Sequence, residues 1–130
     1  MSRFIGWKSP SFVLLLLTLV ACGGGSSTTD VPPPDTNAPT VTVTEPGPVT
    51  LSGPVTLSAS AEDDRGVSGV RFRVDQQDVA PEDTTAPYDE VWNSRGVANG
   101  VHFIDAVARD EAGNSATSAP VRVKVNNGPN

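Results

Sequence analysis

Leucine and valine occupy different parts of this 130-residue chain. Five of the seven leucines precede residue 22, whereas 16 of the 18 valines follow residue 21 and share that region with only Leu51, Leu57 and Ile104 as larger aliphatic side chains. Valine and threonine lose side-chain freedom in a helix and pack well on a pleated surface. A core built from them therefore belongs to sheets, and a mainly helical fold is excluded. The single Cys cannot form a disulfide within the chain, and one Cys with one His cannot complete a structural zinc site.

The leucine-rich beginning reads as an address. Met1 to Lys8 carries Arg3 and Lys8 and no acid, and Phe12 to Val20 is apolar apart from Thr18. These are the n- and h-regions of a secretory signal, too short for the roughly 20 apolar residues that span a bilayer as a helix. The run Leu19-Val20-Ala21-Cys22 resembles the bacterial lipobox, which implies that Cys22 receives lipid and that residues 1–21 are removed. A free thiol behind an ordinary cleavage site is the alternative. Cleavage would leave 109 residues and take away Arg3 and Lys8, so that seven cations face 15 acids and the net charge moves from −6 to −8. Two or three acyl chains, at about 0.8 kcal/mol per buried CH₂, hold a protein to a membrane where one chain does not. The resemblance thus places the protein on a bacterial membrane, the outer one in a Gram-negative cell, with its domain in the periplasm or at the cell surface.

Residues 22–37 read as the lipidated Cys followed by a tether. Gly23 to Asn37 holds one large apolar side chain, Val31, and cannot bury enough surface to offset the entropy of ordering. From 38 to 127 short alternating runs are punctuated by Gly, Pro, Asn and Asp about every eight to twelve residues, the pattern of an all-β sandwich, and 128–130 form a tail. Seven strands are expected: Thr40 to Thr44, Val55 to Ala61, Val70 to Asp75, a short edge strand around Val79, Tyr88 to Trp92, Val101 to Arg109, and Val121 to Val125. Gly66, Gly100 and Gly113 fall where turns require positive φ.

This region resembles the bacterial Ig-like domains. The resemblance is carried by Ala38-Pro39-Thr40-Val41, Ala61-Glu62-Asp63-Asp64, Gly66-Val67 and Gly69-Val70 leading into Phe72, Asp83-Thr84-Thr85-Ala86-Pro87-Tyr88, Trp92-Asn93-Ser94, Asn99-Gly100-Val101-His102, Ala106-Val107-Ala108-Arg109-Asp110 and Ala112-Gly113-Asn114-Ser115-Ala116. It implies an Ig-like or fibronectin-type sandwich of about seven antiparallel strands. Glu90 departs from the family pattern, which usually has an apolar or neutral residue at this strand position, and it sits between Tyr88 and Trp92 on the same nominal face. A small bulge or an exposed edge would accommodate it.

Little in the chain supports catalysis. No G-x-S-x-G, Walker loop or H-E-x-x-H motif is present, and His102 reads as a half-buried side chain bonded to a nearby loop rather than a general base. Acidity and the absence of nucleic-acid-binding signatures argue against nucleic acid. Two surfaces remain. Glu62, Asp63 and Asp64 should meet Asp110 and Glu111, with Asp35 and Asn37, at one end of the sandwich. Asp63, Asp64 and Asp110 are candidate Ca²⁺ ligands, although turn capping and pairing with Arg65 or Arg109 would use the same carboxylates. The second surface is the outer face of one sheet, where Arg71, Arg73, Phe103, Arg109, Arg122 and Lys124 gather with Asp75, Asp105 and Val107. It could receive a protein or an anionic glycan, or close on itself through cross-strand Arg–Asp pairs. The reading is a non-enzymatic, lipid-anchored module for adhesion, scaffolding or partner binding at the envelope, with an accessory carbohydrate- or polymer-binding module as the alternative. No cofactor is expected beyond the candidate Ca²⁺.

Overall fold

A computed structural model describes residues 30–129, and the signal segment and Cys22 lie outside them. Residues 34–130 form one compact unit. Its strands are β1 (Thr40–Glu45), β2 (Thr50–Leu51), β3 (Pro54–Glu62), β4 (Val67–Val74), β5 (Gln77–Asp78), β6 (Tyr88–Asn93), β7 (Gly100–Asp110), β8 (Ser115–Thr117) and β9 (Val121–Val125), with a 3₁₀ turn at Ser94–Gly96. One sheet has the order β1-β3-β6. The other runs β2-β9-β7-β4-β5, with β8 also on β7.

The two sheets face each other across a core in which alternation does what the sequence implies. Val70, Phe72, Val74, Ile104, Ala106, Ala108, Val123 and Val125 are buried from the larger sheet, and Val43, Leu57, Tyr88 and Trp92 from the smaller. Each fully buried large apolar side chain contributes about 1.5–3 kcal/mol relative to exposure. The small Ala106 and Ala108 stand beside Phe72 and Val70 across the β4–β7 register, which leaves room for the aromatic ring. Gly66, Gly100 and Gly113 all hold positive φ.

Three features extend the seven-strand expectation. The chain leaves β1 and joins the other sheet as β2, which pairs in parallel with β9 through Thr50↔Lys124 and Leu51↔Val125, so the sandwich is not wholly antiparallel. The last strand is split: β8 and β9 both pair with β7, on either side of Ser118–Pro120. The edge strand expected around Val79 lies at Gln77–Asp78, in a hairpin whose two turn residues, Asp75 and Gln76, have φ of 50° and 69°. Glu90 causes no bulge, because β6 is an edge strand and its register with β3 is continuous.

At the end where the last strand finishes, Asn127 ties three segments together. Its side chain accepts from the Gly53 N–H and Ser94 Oγ and donates to the Ser94 carbonyl. At the opposite end residues 35–37, read from sequence as tether, are joined to the sandwich. Asn114 Nδ2 donates to the Asp35 carbonyl, and Asn37 Nδ2 donates to Asp64 at 2.9 Å.

Candidate functional site

The acidic end brings Asp63 and Asp64 together with Asp35, which was expected at this end, and not with Asp110, the third candidate ligand. Oxygens of Asp35, Asp63 and Asp64 lie within 4.8 Å of one another. The Asp35 side chain is 7% exposed and sits 3.9 Å from the Arg65 guanidinium. Asp63 Oδ2 accepts the N–H groups of Arg65 and Gly66, while its Oδ1 is shielded from solvent and has no hydrogen-bond partner among the described residues. Carboxylate oxygens of this kind, with the Asn37 amide beside them, are the donor chemistry of a hard cation such as Ca²⁺.

Asp110 is not part of that group. The residue is 1% exposed, and its carboxylate is folded over its own turn, accepting from the Asn114 N–H at 2.8 Å and from Asn114 Nδ2 at 2.7 Å. Burial alone pushes the Asp110 carboxyl up, but these bonds and the N–H groups of Gly113 and Ala112 hold it below the ordinary carboxylate range. The capping reading thus applies to Asp110, and the three-carboxylate reading moves to Asp35.

On the outer face of the larger sheet, most of the expected basic residues are already answered. Arg73 makes a two-pronged pair with Asp105 at 2.7 and 3.0 Å across the β4–β7 register. Glu82, which sequence reasoning did not single out, reaches Arg109 at 2.6 Å and Arg71 at 3.7 Å, and Arg71 also meets Asp78 at 3.2 Å. The Arg109 hydrogen bond is the main reason the Glu82 carboxyl is held below its ordinary range. Glu82 lies over Gly69, where an added Cβ would fall on its side chain. The backbone beside it is fixed by two bonds of 2.8 Å between Val70 and Asp83.

Arg122 and Lys124 remain. Among the described residues neither takes part in an ion pair, and both are exposed. Their cross-strand neighbours are Phe103 and Val101, 46% and 44% exposed on the same face. With Pro48, Val49 and Thr50 the two cations line a shallow cleft of about 280 Å³. The acids nearest the apolar pair are engaged. Asp75 accepts from the Phe103 N–H at 2.9 Å and bonds His102 Nδ1 at 2.6 Å, and Asp105 holds Arg73.

His102 sits beside this face as a structural group. Its Nε2 bonds the Ala98 carbonyl at 2.7 Å, so the ring links the loop before β7 to the β4–β5 turn. Among the described residues the ring's partners are the Asp75 carboxylate and the Ala98 carbonyl, with no hydroxyl or thiol bonded to it.

A model of the bacterial Ig domain matches residues 39–106, more than half of the chain and most of both sheets. The chain belongs to the bacterial Ig domain family. No curated protein matches the chain. Among solved structures this Ig domain is similar to the fibronectin(III)-like modules of Clostridium thermocellum CbhA, with 28% identity and a TM-score of 0.59 over 70% of this chain and all of that one. Ig-like and fibronectin-type modules are binding or scaffolding domains in general, and bacterial ones are extracellular or surface-exposed modules. Among the described residues no helix is long and apolar enough to cross a membrane.

Proposed function

We propose that this Ig domain is a non-enzymatic lipoprotein module, anchored through Cys22 and displaying the outer face of its larger sheet for partner binding at the bacterial envelope. The observation that carries the reading is the contrast on that face. Arg71, Arg73 and Arg109 are closed by Asp78, Asp105 and Glu82, whereas Arg122 and Lys124 stand uncommitted beside exposed Phe103 and Val101. Exposed aromatic and aliphatic side chains next to unpaired cations make a protein-contact surface. A sugar-binding platform is less well supported, since Phe72, Tyr88 and Trp92 are buried in the core and Phe103 is the sole exposed ring among the described aromatics. The lipobox-like run ending in Cys22 supports the anchor.

The test combines fractionation and cross-linking in intact cells. Cys22→Ala should move the protein from membranes to the soluble fraction, and a mutant that still pellets in high salt removes the anchor. Cross-linking of the wild type should give an adduct that Phe103→Asp abolishes. An adduct indifferent to that substitution removes the face.

A further inference from the structure

We propose that the partner of this face is an extended, acidic segment of another protein, with carboxylates two residues apart meeting Arg122 and Lys124 and the methylene stems of those same side chains resting on Phe103 and Val101. This rests on the partner-binding reading and adds the chemistry of the partner.

The spacing comes from the strand itself. Arg122 and Lys124 are alternate residues of β9 and point to the same side, so their attachment points lie about 7 Å apart. Carboxylates at alternate positions of a second extended chain repeat at the same interval. The lining of the cleft by Val49 and Thr50 on one flank, and the cross-strand Val101 and Phe103 on the other, puts apolar contact on both sides of the cation pair. Asp75 and Asp105, which would otherwise repel such a segment, are occupied by His102 and Arg73.

Charge decides between a short acidic segment and a long anionic polymer. The whole chain carries −6, so a polymer bearing many charges meets repulsion wherever it runs beyond the patch. A short segment confined to two cations avoids most of it, because screening cuts off interactions beyond about 8 Å at physiological salt. Apolar contact at Phe103 and Val101 also rewards a peptide more than a carboxylated sugar, which has a single ring to stack on.

The test uses the full chain in detergent micelles and measures fluorescence anisotropy with two labelled probes, a synthetic peptide of alternating Glu and Thr and an oligogalacturonate. The peptide should bind, weaken with added salt, and lose about tenfold in affinity for the doubly reversed Arg122→Glu, Lys124→Glu chain. If that chain fails to fold by circular dichroism, Arg122→Gln, Lys124→Gln replaces it with the same expected direction. Peptide binding unchanged by these substitutions, no peptide binding, or oligogalacturonate binding at the patch without peptide binding would each overturn the proposal. A Phe103-dependent adduct in cells alongside a silent peptide would sink the acidic-segment inference and leave the partner-binding reading standing.

Discussion

Ser118 stands in the break between β8 and β9, where Pro120 interrupts the last strand, and it supplies bonds that the ladder would otherwise lose. Its N–H donates to the Ala106 carbonyl at 2.8 Å, and its Oγ accepts the Ala106 N–H at 3.0 Å. The side chain is buried, so no water replaces it. Ser118→Ala should cost about 1–3 kcal/mol, because a buried N–H is left without an acceptor. Urea unfolding followed by tryptophan fluorescence measures it, and an unchanged midpoint would contradict the role. Single residues were legible where alternation decides them. Phe72 and Val74 face inward because they alternate with Arg71, Arg73 and Asp75, and Ile104 and Ala106 face inward on either side of Asp105. Ser118, Glu82 and Asn127 were not legible, since each acts on residues brought close only by the fold. Glu82 and Arg109, for example, are 27 positions apart.

At the level of elements, the edge of β6 shows why Glu90 breaks the family pattern. In pairing with β3, alternate N–H groups of β6 point outward, and two of them are covered by carboxylates. Asp83 Oδ2 accepts from Asp89, and Glu90 Oε1 accepts from Val91, whose side chain is 67% exposed. A bare edge with an exposed valine is a template for another strand, and charge on it is a common protection. Glu90→Ala should therefore increase the dimer fraction at high protein concentration relative to wild type, read by sedimentation velocity. Identical sedimentation of the two proteins would dismiss the edge-guard explanation. Elements with long alternating runs were readable from sequence, whereas of the short ones β5 was expected slightly late, around Val79, and β2 and β8 were not expected. β2 has two residues in a Pro- and Gly-rich approach, and β5 follows an Asp-Gln turn that lacks the Asn-Gly signal of a tight hairpin. β8 was hidden by the break at Ser118–Pro120.

Over the whole described part of the molecule, polar groups divide between those that hold the sandwich together and those, such as Arg122 and Lys124, that take part in no ion pair among the described residues, and His102 belongs to the first kind. Both ring nitrogens face acceptors, Asp75 Oδ2 and the Ala98 carbonyl, so the ring satisfies both only as the doubly protonated imidazolium. The Asp75 hydrogen bond, opposed by burial and helped by the Ala98 carbonyl, raises its pKa above the ordinary 6.5. Burial pushes the Asp75 carboxyl up, but the bonds from His102 and the Phe103 N–H outweigh it and leave the pKa below 3.8. A raised folded-state pKa on His102 gives stability that is complete below 6.5 and lost as pH rises through the folded value. The lowered one on Asp75 gives stability present above 3.8 and lost as pH falls through its folded value. The clamp is therefore strongest between about pH 4 and 6.5 and loosens on the alkaline side first. His102 is the chain's one histidine, so its contribution can be isolated. Wild-type urea midpoints should fall between pH 6.5 and 9, and His102→Gln, which does not titrate there, should show a flatter profile that meets the wild type at the alkaline end. A wild-type midpoint that stays level or rises over that range would mean that the ring is neutral in the folded protein and that one of its two bonds is not made.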